Sequence, residues 1–137
     1  MKNLICLLFI VTVSSGCALN PERINPHINT YRKDCKKGYE LNLNIPYKEA
    51  FKMVTDTFKA NATLILKEDY ENKVILASRD KYPVFMMNTY AVFFEDIENN
   101  KTKLIIKGSA PTWALWKIRE EARARKQLSN IPAIPTP

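Results

Sequence analysis

The sequence predicts an α+β fold: a two-layer, antiparallel four-stranded sheet with helices on one face, in the order β-α-β-β-β-α. Three observations carry this prediction. Several short segments alternate apolar and polar residues with a period of two, which is typical of half-buried strands. Two longer segments repeat apolar residues at i, i+3, i+4 and i+7, which indicates amphipathic helices. Short turn-forming sequences separate the strands, and helices gathered on one side can bury the apolar face of such a sheet.

The first predicted strand is "YELNLNI", at residues 39–45. Its apolar residues share one face and its polar residues Glu40, Asn42 and Asn44 share the other. Pro46 ends the strand and can open a helix, because its fixed backbone angle suits a first helical turn. The predicted apolar face consists of Tyr39, Leu41, Leu43 and Ile45.

The first predicted helix is "YKEAFKMVTDTFKANA", at residues 47–62. Its apolar residues recur at helical spacing and its charged residues fall elsewhere, so one stripe of the helix is expected to be buried. Asn61 is a candidate for the residue that ends it. The predicted stripe consists of Tyr47, Ala50, Phe51, Val54, Phe58 and Ala62.

The next segments form two pairs. "TLILKED" and "KVILASRD" flank the short connection "YEN", and "TYAVFFEDI" and "KTKLIIKGS" flank "ENN". The pairs predict two hairpins or one antiparallel meander. Tyr90, Val92 and Phe94 are expected to share a face. The second face of the sheet is expected to be mixed and a candidate partner surface, carrying Ile65, Ile75, Phe93 and Ile105.

The last predicted helix is "APTWALWKIREEARARKQL", at residues 110–128. Thr112 is a candidate N-cap. The apolar stripe contains Leu115, Ile118 and Ala122, with Trp113 and Trp116 beside it. The Pro-rich tail at 129–137, "SNIPAIPTP", cannot continue the helix. The domain is therefore predicted to span 39–128, which fits a 137-residue chain with room for one domain.

Residues 1–16 have the features of a secretory leader. Lys2 precedes an apolar run of ten residues, whereas a membrane-spanning helix needs about 20. The run ends in "SSGC", residues 14–17, which resembles the lipobox of bacterial lipoproteins. The resemblance implies that residues 1–16 are a signal peptide that is removed, and that Cys17 becomes an acylated N-terminus.

The same resemblance implies where the protein is found. Several acyl chains, such as palmitate, on one cysteine hold a protein firmly in a membrane. Ala18 stands where lipoproteins retained in the inner membrane carry aspartate, so the periplasmic face of the outer membrane is favoured over the inner membrane. Residues 17–38 are interpreted as the lipidated N-terminus and a flexible tether.

A second resemblance covers residues 39–128. A strand, the helix opening "PYKEAF" at 46–51, further strands and a last helix are together similar to several families of small bacterial envelope lipoproteins of uncharacterised function. This similarity implies a fold and no particular activity.

The sequence carries no convincing catalytic or metal-binding pattern. It has no Gly-rich phosphate loop and no "GxSxG". His27 is the only histidine and lies in the predicted tether, without ligand-type residues at suitable spacing, so no metal site is expected. Cys35 stands among lysines that favour a thiolate, but it is interpreted as incidental. No catalytic residue and no cofactor is predicted, and an enzyme is disfavoured.

Two surface features are candidates for binding. The connection "KYPVFMMNTY" is too apolar for a simple turn: it either extends a hairpin into the core or forms an adaptable binding surface. Its candidate residues are Tyr82, Val84, Phe85, Met86 and Met87. The end of the last helix is either a solvated helix face or a basic face for lipid headgroups or an acidic partner. Its candidate residues are Lys117, Arg119, Arg123, Arg125 and Lys126.

These features lead to one main hypothesis and two alternatives. The main one is a non-enzymatic, membrane-anchored envelope lipoprotein that binds or assembles another envelope protein. The first alternative is a periplasmic enzyme or small-ligand binder with a pocket between the sheet and the helices. The second is a mobile-element lipoprotein, such as an exclusion or lysis factor. The net charge of +7 suits anionic headgroups, and no nucleic-acid partner is expected for an exported protein.

Overall fold

The computed structural model describes residues 21–33, 38–79, 88–109 and 111–129. Within these ranges the chain forms one five-stranded antiparallel sheet and three helices. The elements are, in order, α1 (Pro21–Lys33), β1 (Tyr39–Leu43), α2 (Tyr47–Ala60), β2 (Leu64–Asp69), β3 (Val74–Ser78), β4 (Thr89–Ile97), β5 (Lys101–Gly108) and α3 (Pro111–Ala124).

The strands lie in the order β1-β5-β4-β3-β2, and every neighbouring pair is antiparallel. Strands β2 to β5 form a meander, and β1 joins it at the free side of β5. The predicted α+β class and antiparallel sheet are confirmed. The predicted count of four strands is wrong, because each of the two hairpins contributes two strands and β1 is the fifth.

The main core lies between one face of the sheet and helices α2 and α3. Tyr90, Val92 and Phe94 share this face, as predicted, and their cross-strand neighbours Leu104 and Ile106 share it too. Cross-strand neighbours point to the same side of a sheet, so one register places all of these side chains in the core.

Helix α2 follows the prediction closely. The carbonyl of Pro46 accepts the N–H of Ala50 at 3.0 Å, and Asn61 ends the helix by donating its side-chain N–H to the carbonyl of Thr57 at 2.8 Å. Ala62 was expected in the buried stripe but lies beyond the helix, exposed, with φ at 53°. The buried stripe includes Ala50, Phe51, Met53, Val54 and Phe58.

Helix α3 begins at Pro111, so Thr112 lies inside the helix and is not its N-cap. Proline suits the first helical position, where its missing N–H would be unpaired in any case. Ile118 and Ala122 are fully buried, as predicted, and Ala114 is buried with them. The helix ends at Ala124, earlier than predicted.

The segment after α3 runs along the outer edge of β1. Leu128 forms an antiparallel bridge with Leu43, and the N–H of Ser129 donates to the carbonyl of Asn42 at 3.2 Å. The N–H of Asn44 donates to the carbonyl of Gln127 at 2.8 Å. This pairing covers part of an edge that would otherwise offer free backbone groups to another strand.

Helix α1 occupies the second face of the sheet, where no helix was predicted. The structure differs here from the flexible tether expected over 17–38, and from the expectation of helices on one face only. Pro26 and the polar residues around it hide the helical pattern in the sequence. The helix is stabilised by tertiary packing: Ile28 and Tyr31, three residues apart and therefore on one side of the helix, lie together against the sheet.

The apolar residues of this second face also differ from the prediction. Phe93 and Ile105 are direct partners on β4 and β5, and Phe93 packs with the α1 side of the sheet. Ile65 and Ile75 instead belong to the main core. Ile75 pairs with Val92, so both must face α2 and α3, and an offset of one residue reverses the face. Val74 and Leu76 take the second face instead.

Candidate interaction surfaces

The structure tests only some of the predicted site residues. The lipidation site Cys17 lies outside the described residues, and so does Cys35. The predicted partner surface also lies outside them, between residues 79 and 88: Tyr82, Val84, Phe85, Met86 and Met87. These assignments stay predictions.

The basic residues after Trp116 do not form one helical face. Arg125 and Lys126 lie in the turn after α3, because the helix ends at Ala124. The Nε of Arg125 lies 2.6 Å from a carboxylate oxygen of Glu121. Lys126 has φ at 56°, a left-handed conformation that often ends a helix.

Three of the five basic residues form no ion pair with any other described residue. Among the described residues, Arg119, Arg123 and Lys126 contact no carboxylate within ion-pair distance. Lys117 is different, because its Nζ lies 3.9 Å from Glu120 and 4.4 Å from the centre of the Trp116 ring. We call Arg119, Arg123 and Lys126 the free basic group.

Trp116 lies beside this group and is 52% exposed. Trp113, the second tryptophan of α3, is half-buried and packs against the main core. The two tryptophans therefore do different things, although the sequence places both beside the apolar stripe. An exposed tryptophan next to cations is the composition found where proteins contact lipid headgroups.

The second sheet face carries a small apolar area, which we call the α1-binding strip. Ile28 of α1 is only 5% exposed and packs on this strip. Tyr31 packs beside it. Within the described residues the strip consists of Leu66, Val74, Leu76, Ala91 and Phe93.

Helix α1 has two further contacts with the strip. The hydroxyl of Tyr31 lies 2.5 Å from that of Thr89 in a hydrogen bond, and the guanidinium of Arg32 lies over the Phe93 ring, 5.6 Å from its centre. Within α1, the hydroxyl of Thr30 donates to the carbonyl of Pro26 at 2.8 Å. The described contacts of α1 with this face therefore include one buried aliphatic side chain, one hydroxyl pair and one cation–π contact.

A cleft of about 270 Å³ lies between α1 and the hairpin of β2 and β3. It lies on the second sheet face, not between the sheet and α2 and α3, where a ligand pocket was considered. It is lined by Ile28, Asn29, Arg32, Lys67, Asp69, Asn72 and Val74.

The carboxylate in this cleft is already bonded. Asp69 accepts the backbone N–H of Asn72 at 3.0 Å and its side-chain N–H at 3.0 and 3.1 Å. Lys67 lies 3.1 Å away. These hydrogen bonds, first those from Asn72, hold the pKa of Asp69 below its ordinary value. Asp69 therefore stays charged and shapes the turn, and it is poorly suited to exchange protons with a substrate.

Charged residues border the strip on the β5 side. The Nζ of Lys103 lies 3.3 Å from Glu40 on β1 and 3.3 Å from Glu95 on β4. Burial disfavours the charged lysine, but hydrogen bonds to Glu95 and Glu40 outweigh it and raise the pKa of Lys103. The apolar area of this face is therefore bounded by a bridged row of charges.

Aromatic side chains join α2 to the turn between β2 and β3. The Tyr47 ring lies 4.7 Å from that of Tyr70 and 5.6 Å from that of Phe94, centre to centre. Its hydroxyl donates to the carbonyl of Tyr70 at 2.5 Å. Burial, followed by the nearby Tyr70 and Asp96, raises the pKa of Tyr47 to about 12. This cluster packs α2 against the turn between β2 and β3.

Sequence reasoning missed one polar feature of the main core. The hydroxyls of Tyr90 and Thr63 are buried near each other, but neither forms a hydrogen bond of good geometry. Burial raises the pKa of Tyr90, so its hydroxyl stays neutral. An alternation pattern shows only that Tyr90 faces inward, and no sequence signal indicates whether its hydroxyl finds a partner.

No protein-family model matches the chain, and no curated protein is significantly similar to it. None of the helices in the described ranges is long and apolar enough to cross a membrane. The described residues also hold no group of three or more His, Cys, Asp or Glu side chains placed to bind a metal ion.

Proposed function

We propose that the protein is a lipid-anchored, non-enzymatic binding module of the bacterial envelope, attached to the membrane through Cys17, that binds another envelope protein. The observation that carries the proposal is "SSGC" at residues 14–17, at the end of a short apolar run behind Lys2. A run of this length with small residues before a cysteine is typical of a processed, acylated leader.

The second sheet face supports a binding role. Its α1-binding strip is apolar, and in the described part of the chain helix α1 covers it through Ile28 and Tyr31. Only residues 18–20 separate Cys17 from α1, so this face belongs to the part of the domain nearest the proposed anchor. An apolar area bounded by charges has the composition of a protein-binding surface.

The main core supports a binder over an enzyme with a pocket between sheet and helices. Among the described residues, the layer between the sheet and helices α2 and α3 is filled by apolar side chains. The described cleft lies on the opposite face, and its only carboxylate, that of Asp69, is engaged by Asn72 and Lys67.

The free basic group supports a secondary contact with anionic headgroups. Each Lys or Arg near an anionic membrane contributes about 1 kcal/mol. This contribution is available from the free basic group, because none of its members is paired with a carboxylate within the described residues. Trp116 beside the group is half exposed. We place the protein on the periplasmic face of the outer membrane, as the residue Ala18 suggests.

The test is mass spectrometry of the mature protein together with membrane fractionation in a bacterial host. We expect a mature N-terminus at Cys17 that carries acyl chains, and recovery with the outer membrane. Cys17→Ser should abolish both acylation and cleavage. Cys6→Ser, a matched change within the leader, should alter neither.

A protein that keeps residues 1–16, or that is acylated equally with Cys17→Ser, would contradict lipid anchoring. The binding role is tested separately, by crosslinking in cells and mass spectrometry of the products. Recovery of the protein without any crosslinked envelope protein would contradict that role.

A further inference from the structure

We infer that the α1-binding strip is the docking site for an amphipathic helix of the partner, and that α1 occupies this site within the chain until the partner displaces it. The inference rests on the proposed binding function and gives that function a surface and a ligand chemistry.

The first step is that α1 is weakly held. It has 13 residues, and isolated helices shorter than about 12–15 residues are marginal in water. Pro26 inside the helix removes one backbone hydrogen bond. Of its described side chains, only Ile28 is buried. A short helix that contains a proline and buries one of its described side chains can leave while the remainder of the domain stays folded.

The second step is that the strip persists without α1. Val74, Leu76, Ala91 and Phe93 belong to β3 and β4, and each of these strands is hydrogen-bonded on both sides. The opposite faces of the same strands are packed in the main core. The site is therefore built into the centre of the sheet.

The third step is that α1 shows what the site accepts. Ile28 fills the apolar floor, Tyr31 reaches the Thr89 hydroxyl, and Arg32 lies over Phe93. Two apolar anchors at i and i+3 have the spacing of a helix recognised in a groove, and the cation at i+4 adds the contact with Phe93. The ligand is therefore an amphipathic helix with this pattern.

The fourth step concerns fit and charge. A cleft of about 270 Å³ remains between α1 and the hairpin of β2 and β3, so a helix with larger side chains would fill the site better than α1 does. Arg32 of α1 lines that cleft and lies over Phe93, so the site accommodates a cation on the incoming helix.

The test is a nuclear magnetic resonance titration of the chain from residue 17, carrying Cys17→Ser, which contains every described residue. Ile28→Asp releases α1 by placing a charge on the apolar floor. The probe is a peptide of residues 21–33. We expect it to shift the amide signals of Val74, Leu76, Ala91 and Phe93 in the Ile28→Asp chain.

Matched controls define the site. Thr30→Asp places the same charge at an exposed position of α1, so the site should stay occupied and the peptide should bind at least ten-fold more weakly than to the Ile28→Asp chain. A peptide with its own Ile28→Asp change should bind neither chain. Pro26→Ala strengthens α1 and should weaken peptide binding further than Thr30→Asp does.

Three results would overturn the inference. The first is equal peptide binding to the Ile28→Asp and Thr30→Asp chains, or none to either. The second is global unfolding by Ile28→Asp, which would make α1 an integral part of the fold. The third is a dimer of the Ile28→Asp chain with the strip buried between copies, which would make a second copy the occupant. Because Cys17 is replaced throughout, failure here is distinct from failure of lipid anchoring.

Discussion

At the residue scale, Tyr47 and Tyr90 differ in what their hydroxyls contact. The Tyr47 hydroxyl donates to a carbonyl, whereas the buried Tyr90 hydroxyl has only the Thr63 hydroxyl near it and forms no hydrogen bond of good geometry. We expect Tyr47→Phe to lower the free energy of unfolding by about 0.5–1.5 kcal/mol, the usual net value of one hydrogen bond. Tyr90→Phe should lower the free energy of unfolding by less than Tyr47→Phe does, or raise it, because it removes a buried hydroxyl that has no well-aligned partner.

Urea unfolding of both variants, compared with the parent chain, measures this contrast. The two substitutions remove the same atom, so each is the control for the other. A loss of stability with Tyr90→Phe as large as that with Tyr47→Phe would show that the Tyr90 hydroxyl is bonded.

Asp69 should make the free energy of unfolding depend on pH in the acidic range. Its pKa is held below the ordinary 3.8, first by hydrogen bonds from Asn72. The stabilisation is therefore complete above that ordinary value and is lost as the pH falls through the lower, folded-state pKa. We expect Asn72→Ala to be less stable than the parent at neutral pH, with a difference that shrinks under acid.

Unfolding by urea at a series of pH values measures this prediction. Asp69→Asn should reduce the same acid dependence, because it removes the titrating group. A difference between Asn72→Ala and the parent that stays constant from neutral pH to well below 3.8 would contradict the role of the turn.

At the element scale, the strands could be predicted from the sequence and α1 could not. Alternation in β4 and β5 identifies the buried face because every second residue there is apolar. In α1, only Ile28 and Tyr31 are described as packing on the sheet, so the apolar pattern is too sparse to stand out, and Pro26 argues against a helix. The face of Ile75 was also missed, because it depends on pairing with Val92, which is long-range information.

The candidate sites also combine features that the sequence shows with features that only the structure shows. The basic composition after Trp116 is visible in the sequence, but the choice of which cations are paired depends on side-chain positions. Glu121 binds Arg125, as a spacing of four residues favours. Arg119 and Arg123 lack such a partner within the described residues. The α1-binding strip required both the register of β3 with β4 and the placement of α1.

Helix α3 gives a prediction at this scale. Ile118 is fully buried and Trp116 is half exposed, two residues apart on the same helix. We expect Ile118→Ala to lower the free energy of unfolding by about 2–5 kcal/mol through lost burial and a cavity. Trp116→Ala should change stability by less than about 1 kcal/mol. Thermal and urea unfolding check both, and equal losses would mean that Trp116 is part of the core.

At the scale of the whole molecule, a net charge of +7 does not show which basic side chains would contact an anionic membrane. We expect replacement of the free basic group by Gln to weaken binding to vesicles with anionic lipid by about 3 kcal/mol, or roughly 100-fold, at about 1 kcal/mol per charge. The chain from residue 17 with Cys17→Ser is used, so that neither acyl chains nor the apolar run of residues 4–13 contribute.

The matched control replaces three paired lysines, Lys52, Lys59 and Lys73, by Gln. Each of them lies in an ion pair with Asp or Glu, and the net charge changes by the same amount. Vesicle sedimentation at low salt measures both variants. Equal losses of binding would mean that overall charge, and not the end of α3, directs the contact.

The position of α1 also sets how far the domain can travel from an anchored Cys17. With α1 docked, only residues 18–20 link Cys17 to the folded domain, and they span at most roughly 10 Å at about 3.3–3.6 Å per residue. With α1 released and extended, residues 18–38 form the linker between Cys17 and the sheet, and they span at most roughly 70 Å at the same length per residue. Occupation of the α1-binding strip by a partner would then let the domain move away from its membrane. Binding of the partner would therefore also set the distance between the domain and Cys17.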